Sequence, residues 1–97
     1  AMRRYADIAR RVGLGGTSEK AQVNALIEKI ESFNRAMNIP KTIQEFGVKE
    51  EEVLEKLDAI AANAVSDACT GSNPRAISNE QMAALFKCTF YGTEVDF

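Results

Sequence analysis

Between Val23 and Met37 six large apolar residues recur with helical spacing: Val23, Leu26, Ile27, Ile30, Phe33 and Met37. That periodicity specifies an amphipathic α-helix and is incompatible with the strict alternation of a strand. Thr17 or Ser18 can cap its start, and Glu19 lies in the first turn, where a carboxylate suits the helix dipole. Pro40 is expected to end it, because the residue before proline is driven out of helical geometry. The stripe covers about four turns, roughly 21 Å of helix. So long an apolar face has to be covered by other elements.

The other segments are helical too. Arg3 to Val12 places Tyr5, Ile8, Ala9 and Val12 at helical spacing, with Arg10 and Arg11 at the favourable C-terminal end. Gly13-Leu14-Gly15-Gly16 stops this segment. It is a poor phosphate loop, since the glycines follow a helix and no strand precedes them. Thr42-Ile43-Gln44-Glu45 has the form of a capping box, with Gly47 suited to the position after a short helix. A long helix is expected from about Lys49 to Asp67. Glu50, Glu51 and Glu52 occupy its first turn, Glu52 can reach Lys56, and Val53, Leu54, Leu57, Ile60, Ala61 and Ala64 form its apolar face. Its alanines at 59, 61, 62 and 64 allow another helix to approach closely. Ser78-Asn79-Glu80-Gln81 opens a last helix, to about Phe90, presenting Met82, Leu85, Phe86 and Phe90. Tyr91 to Phe97 alternates like a short edge strand or an extended arm. The fold class is all-α: four main helices and a short extended tail.

Composition removes several functions. With 97 residues the chain is one domain or part of one. A net charge of −2 gives no basic stripe for nucleic acid. No apolar run approaches the ~20 residues that cross a bilayer, and the N-terminal segment lacks the apolar core of a signal peptide. Cys69 and Cys88 match neither a disulfide framework nor a metal spacing, so a reduced, cytoplasmic setting is the simpler reading. There is no histidine. Catalytic Ser–His and Cys–His pairs within the chain, and histidine-based metal sites, are therefore excluded.

One stretch has the look of a site. Asp67-Ala68-Cys69-Thr70-Gly71-Ser72-Asn73-Pro74-Arg75 joins the last two long helices, with an aspartate expected to be buried at a helix end, a thiol and an Asn-Pro turn. Turn chemistry by itself accounts for the glycine, asparagine and proline, and on spacing alone a simple linker with local side-chain bonds is the favoured reading. Cys88, inside an amphipathic pattern, reads as a small core residue.

Three spaced motifs extend this reading. Arg4-Tyr5-Ala6-Asp7-Ile8-Ala9, then Ile39-Pro40 followed by Phe46-Gly47-Val48, then Cys69-Thr70-Gly71-Ser72-Asn73-Pro74-Arg75 occur in the order found at the C-terminal end of iron-containing (group III) alcohol dehydrogenases, which the chain resembles from Arg4 to about Tyr91. The ending resembles the alcohol dehydrogenase half of bifunctional aldehyde–alcohol dehydrogenases. The resemblance implies a two-domain, NAD-dependent oxidoreductase interconverting primary alcohols and aldehydes. A divalent metal, iron or zinc, would act as Lewis acid while hydride passes to the nicotinamide. It also implies that the metal ligands, one aspartate and three histidines, and the dinucleotide-binding glycines lie upstream. Asp7, Asp58, Asp67 and Asp96 do not match the ligand motif, so no catalytic, metal or cofactor ligand is transferred to this chain. Cys69, Thr70, Asn73 and Arg75 are left as candidates to line the cleft, with Cys69 toward the nicotinamide or substrate side. Ala1 ahead of Met2 is consistent with a cloned fragment.

Two readings follow. In the first, residues 1–97 are the C-terminal part of the helical metal-binding domain of such an enzyme: inactive alone, partnered by the upstream remainder, and in a homo-oligomer or filament to which Tyr91–Phe97 contributes. In the second, the chain is an independent helical protein-interaction module, as the caps on its separate helices suggest.

Overall fold

The computed structural model describes residues 1–97 and is all-α, without strands. Its helices are α1 (Met2–Arg11), α2 (Glu19–Ala36), α3 (Ile43–Phe46), α4 (Glu50–Ser66) and α5 (Asn79–Tyr91), with a single 3-10 turn at Thr70–Ser72. The chain divides into two compact units, Ala1–Ile39 and Pro40–Phe97.

In the first unit α1 packs on α2 through small residues. Ala6 and Ala9 are fully buried, whereas Tyr5 and Ile8 of the same helix, and Val12 just after it, are exposed. Alanine lets the two backbones close up, and this decides which face of α1 is covered. Arg10 Nη1 donates to Gln22 Oε1 (2.9 Å), Gln22 Nε2 donates to the Gly16 carbonyl (3.3 Å), and Arg10 also pairs with Asp7. A Cβ at Gly16 would stand 2.8 Å from the Gln22 backbone nitrogen, so the third glycine of the turn serves close approach. Ser18 caps α2, its hydroxyl accepting from the Ala21 N–H at 3.1 Å.

The end of α2 differs from expectation. The helix stops at Ala36, before Pro40 can act. Asn38 adopts the left-handed conformation (φ 57°), while Asn38 N–H donates to Arg35 O and Ile39 N–H to Asn34 O. These are the two bonds of a Schellman closure, with asparagine in the place usually held by glycine. Of the apolar stripe, Val23 and Leu26 are half-buried, but Ile27, Ile30, Phe33 and Met37 are 48–62% exposed. The first unit therefore leaves most of its largest apolar side chains outside.

The second unit pairs α4 with α5 and adds α3 across α5. Thr42 caps α3 by accepting from the Glu45 N–H, and Glu45 Oε2 accepts from Lys41 N–H, one residue earlier than a strict capping box requires. Val53, Leu57 and Ala61 recur at four-residue steps along the buried face of α4, and Phe90 of α5 is fully buried. Ser78 and Gln81 complete a capping box at the start of α5. Glu50, Glu51 and Glu52 sit in the first turn of α4, which has no side-chain cap. Glu52 and Lys56 form no ion pair; the molecule's one salt bridge is Asp7–Arg10. Leu54 is 47% exposed, so it lies outside the covered face. Cys88 is half-buried and no core residue: its Sγ donates to the Glu94 carbonyl at 3.5 Å. The helix runs through Tyr91, one residue beyond its expected end; Gly92 turns the chain in left-handed geometry, and Thr93–Phe97 follows as an arm without strand structure.

Tyr91 Oη donates to Glu50 Oε1 at 2.7 Å, tying the last residue of α5 to the first of α4. That bond, followed by desolvation and the Glu50 charge, holds the phenol pKa above its ordinary 10.0. Folding thus favours the neutral phenol. Its contribution to stability is complete below about pH 10 and fades as pH rises through the raised value. Tyr91→Phe is expected to lower the urea midpoint at neutral pH and to show a smaller alkaline decline than the parent chain. Identical declines in the two proteins would contradict this role.

Candidate functional site

The segment between α4 and α5 is built almost wholly from its own hydrogen bonds. Asp67 leaves the helix in extended geometry (φ −62°, ψ 135°) and is exposed, contrary to the expectation of a buried carboxylate. The reason is local: its Oδ1 accepts from the Cys69 N–H at 2.8 Å, an Asx turn that satisfies the carboxylate at the surface. Thr70 Oγ1 donates to the Ala64 carbonyl at 2.6 Å, supplying a partner to one of the free carbonyls at the end of α4. Ser72 Oγ donates to Cys69 O (2.7 Å), and Asn73 Nδ2 donates to Arg75 O (2.6 Å). Asn73 itself is extended, as the residue before Pro74 should be.

The four candidate residues fall on two sides of this turn. Cys69, Thr70 and Asn73 border a shallow depression of about 310 Å³ whose other walls are Ile77, Met82 and Leu85. Arg75 lies in a second depression of about 130 Å³, shared with Asn73, Ile77 and Leu85 and closed by Val95 and Phe97 of the tail. The Arg75 guanidinium carbon is 5.6 Å from the Phe97 ring centroid. The sequence offered no sign that residues this far apart meet. An isolated aromatic at 97 carries no periodicity linking it to position 75.

Chemically the turn presents a free, exposed thiol and a guanidinium over an apolar floor. The Thr70 hydroxyl and the Asn73 amide have protein partners. Such a surface can shape a pocket and hold a ligand's apolar part; it contains no paired acid and base. No three Cys, Asp or Glu side chains converge into a group able to hold a metal ion, and histidine is absent, so the residues of this chain do not fit a metal centre. Nor do its glycines fit a dinucleotide. Gly13 (φ +82°) ends α1, with Gly13 N–H on Arg10 O and Leu14 N–H on Ala9 O, and opens no helix toward a phosphate. No helix is long and apolar enough to cross a membrane.

Comparison with known proteins adds a lineage to this geometry. Residues 1–90 match the model of the Fe-containing alcohol dehydrogenase family, C-terminal region. The chain is 44% identical over 96 residues to the NADPH-dependent butanol dehydrogenase of Clostridium saccharobutylicum, covering 99% of this chain and 25% of that protein. It is 34% identical over 96 residues to the bifunctional aldehyde-alcohol dehydrogenase AdhE of Escherichia coli K12, covering 97% of this chain and 11% of the relative. With the NAD-dependent methanol dehydrogenase of Bacillus methanolicus it shares 36% identity over 86 residues, 87% of this chain and 22% of that enzyme. The chain thus spans a quarter or less of the length of these relatives. It belongs to the iron-containing alcohol dehydrogenase family, whose C-terminal region it carries.

Proposed function

We propose that this chain is the structural and cleft-lining C-terminal part of a longer, metal-dependent alcohol dehydrogenase that uses NAD to interconvert primary alcohols and aldehydes. The observation that carries the reading is the match over residues 1–90 to a family whose members here are about four or more times as long. The exposed row Ile27, Ile30, Phe33 and Met37 supports it, since a surface patch of that kind favours burial against further helices of the same enzyme. The choice of NAD follows the family resemblance; relatives named for NADPH and for NAD both occur.

In this reading the metal and the dinucleotide are held by segments outside the chain. Cys69, Thr70, Asn73 and Arg75 line part of the cleft and exclude water, without moving protons. Thr70 works indirectly, since its hydroxyl fixes the turn to the end of α4. The partners are the remainder of the same enzyme and further copies of it.

The test is direct. The purified 97-residue chain, given a primary alcohol, NAD and either ferrous or zinc ion, is expected to reduce no NAD, as followed by nicotinamide absorbance. The longer enzyme containing it is expected to turn over. Sustained turnover by the short chain would overturn the reading. An independent interaction module has one observation in its favour: Ser18, Thr42 and Ser78 each cap a helix with their own side chains. A soluble monomer with a sharp unfolding transition in sedimentation and melting experiments would favour that second reading.

A further inference from the structure

We propose that Thr93–Phe97 is a strap that folds back over the Asn73-Pro74-Arg75 turn and restrains the Arg75 side chain, which stays exposed, with the Phe97 ring against the guanidinium. The reversal that makes this possible is built into the end of α5. Gly92 takes the left-handed conformation (φ +80°), and Gly92 and Thr93 N–H both donate to the Cys88 carbonyl, at 2.8 and 3.2 Å. A Cβ at Gly92 would stand 2.7 Å from Thr42 Cγ2, so glycine serves both the turn and the packing there. Cys88 Sγ then donates to the Glu94 carbonyl (3.5 Å), directing the arm back toward the start of the helix. Val95 and Phe97 close the small depression whose remaining walls include Arg75, Ile77 and Leu85.

The contact is selective. Phe97 is half-buried although it lies in an extended arm whose other residues are exposed. A guanidinium 5.6 Å from a ring centroid is within the range of cation–π attraction. The far side of the turn is fixed independently, by Asn73 Nδ2 on Arg75 O. The strap therefore clamps a turn already rigid at its base and leaves the Cys69 side open. The family match stops at residue 90, so the strap lies beyond the matched region. Only its bearing on a substrate cleft rests on the function proposed above; the strap stands on the geometry.

Arg75–Ala76 is a trypsin-sensitive bond, and it reports the strap directly. Arg75 and Lys41 are both exposed, but trypsin has to take the guanidinium off the Phe97 ring, so in the 97-residue chain we expect cleavage there to be slower than at the Lys41–Thr42 bond of the same unit. Phe97→Ala should accelerate the Arg75 cut roughly two- to five-fold, the range of a cation–π contact at an exposed site, leaving the Lys41 cut unchanged. Deletion of Thr93–Phe97 should accelerate it at least as much, and Phe97→Tyr should retain protection. Equal cleavage at Arg75 and Lys41 in the parent chain, an unchanged Arg75 rate in Phe97→Ala, or acceleration shared by both bonds would each overturn the strap. None of these readouts depends on dehydrogenase activity, so the two proposals fail separately.

Discussion

Replacing Phe90 by alanine is expected to destabilise the Pro40–Phe97 unit by about 3–5 kcal/mol, the range for emptying a large aromatic side chain from a packed interior. Phe90 is the one large side chain in the molecule that is fully buried. Its companions are smaller, Val53, Leu57 and Ala61 on the facing helix, so the void left by the ring has little nearby bulk to collapse into it. Tyr91 stands edge-on to the ring at 5.0 Å, and its own bond to Glu50 closes the α4–α5 pair. Small domains have a net stability of only about 5–15 kcal/mol, and often less when the core is thin. One truncation is therefore enough to melt most of this unit at moderate temperature. Urea titration followed by far-ultraviolet circular dichroism measures it. A midpoint equal to that of the parent chain would show that Phe90 does not anchor the pair. Phe33→Ala is the control: that ring is 53% exposed, and surface changes of this kind stay within about 0.5 kcal/mol.

A second substitution should have opposite consequences in the short chain and in the longer enzyme. Ile30→Glu with Phe33→Glu places two carboxylates on the exposed row of α2. In the 97-residue chain this is expected to leave helix content unchanged and to reduce self-association, because it breaks an apolar patch that otherwise faces water. In the longer enzyme proposed above, the same pair would remove about 1.5–3 kcal/mol of burial for each side chain and add the cost of desolvating two charges. Soluble, active enzyme is expected to fall at least about tenfold, since each 1.4 kcal/mol is a tenfold change in equilibrium. Sedimentation of the short chain and the yield and specific activity of the longer one are the measurements. A fully active longer enzyme carrying both glutamates would show that α2 faces solvent there, and the scaffold role of this helix would be lost with it.

Local chemistry was legible where the determining groups lie within a few residues of one another. The caps at Ser18, Thr42 and Ser78 follow from an oxygen set three residues before the N–H it accepts from. Gly13 and Gly47 end their helices because the left-handed conformation required there has no penalty for glycine. The end of α2 departs from the expectation at Pro40. Pro40 is the obvious breaker, yet Asn38 turns the chain first, and Asn tolerates positive φ well enough to stand where glycine is expected. The extent of burial was less legible. The periodicity of α2 marks an apolar face, but only the structure shows that Val23 and Leu26 are half-covered while Ile27, Ile30, Phe33 and Met37 stay exposed.

The loop after α4 divides in the same way. Its internal bonds, from Asp67 to the Cys69 N–H and from Asn73 to the Arg75 carbonyl, span two residues each and belong to turn chemistry. Its two depressions depend on Ile77, Met82 and Leu85 of the following segment and on Phe97 at the end of a reversed arm. Sequence by itself determined the helical class, the caps, the absence of imidazole chemistry and the lineage, because each is set by residue type or by near neighbours. Only the tertiary structure decided that Phe90 is the anchor, that α1 leaves Ile27, Ile30, Phe33 and Met37 of the α2 stripe uncovered and that Phe97 lies on Arg75. Those are outcomes of packing between distant segments, where shape and close approach select one among many apolar pairings that composition alone leaves equivalent.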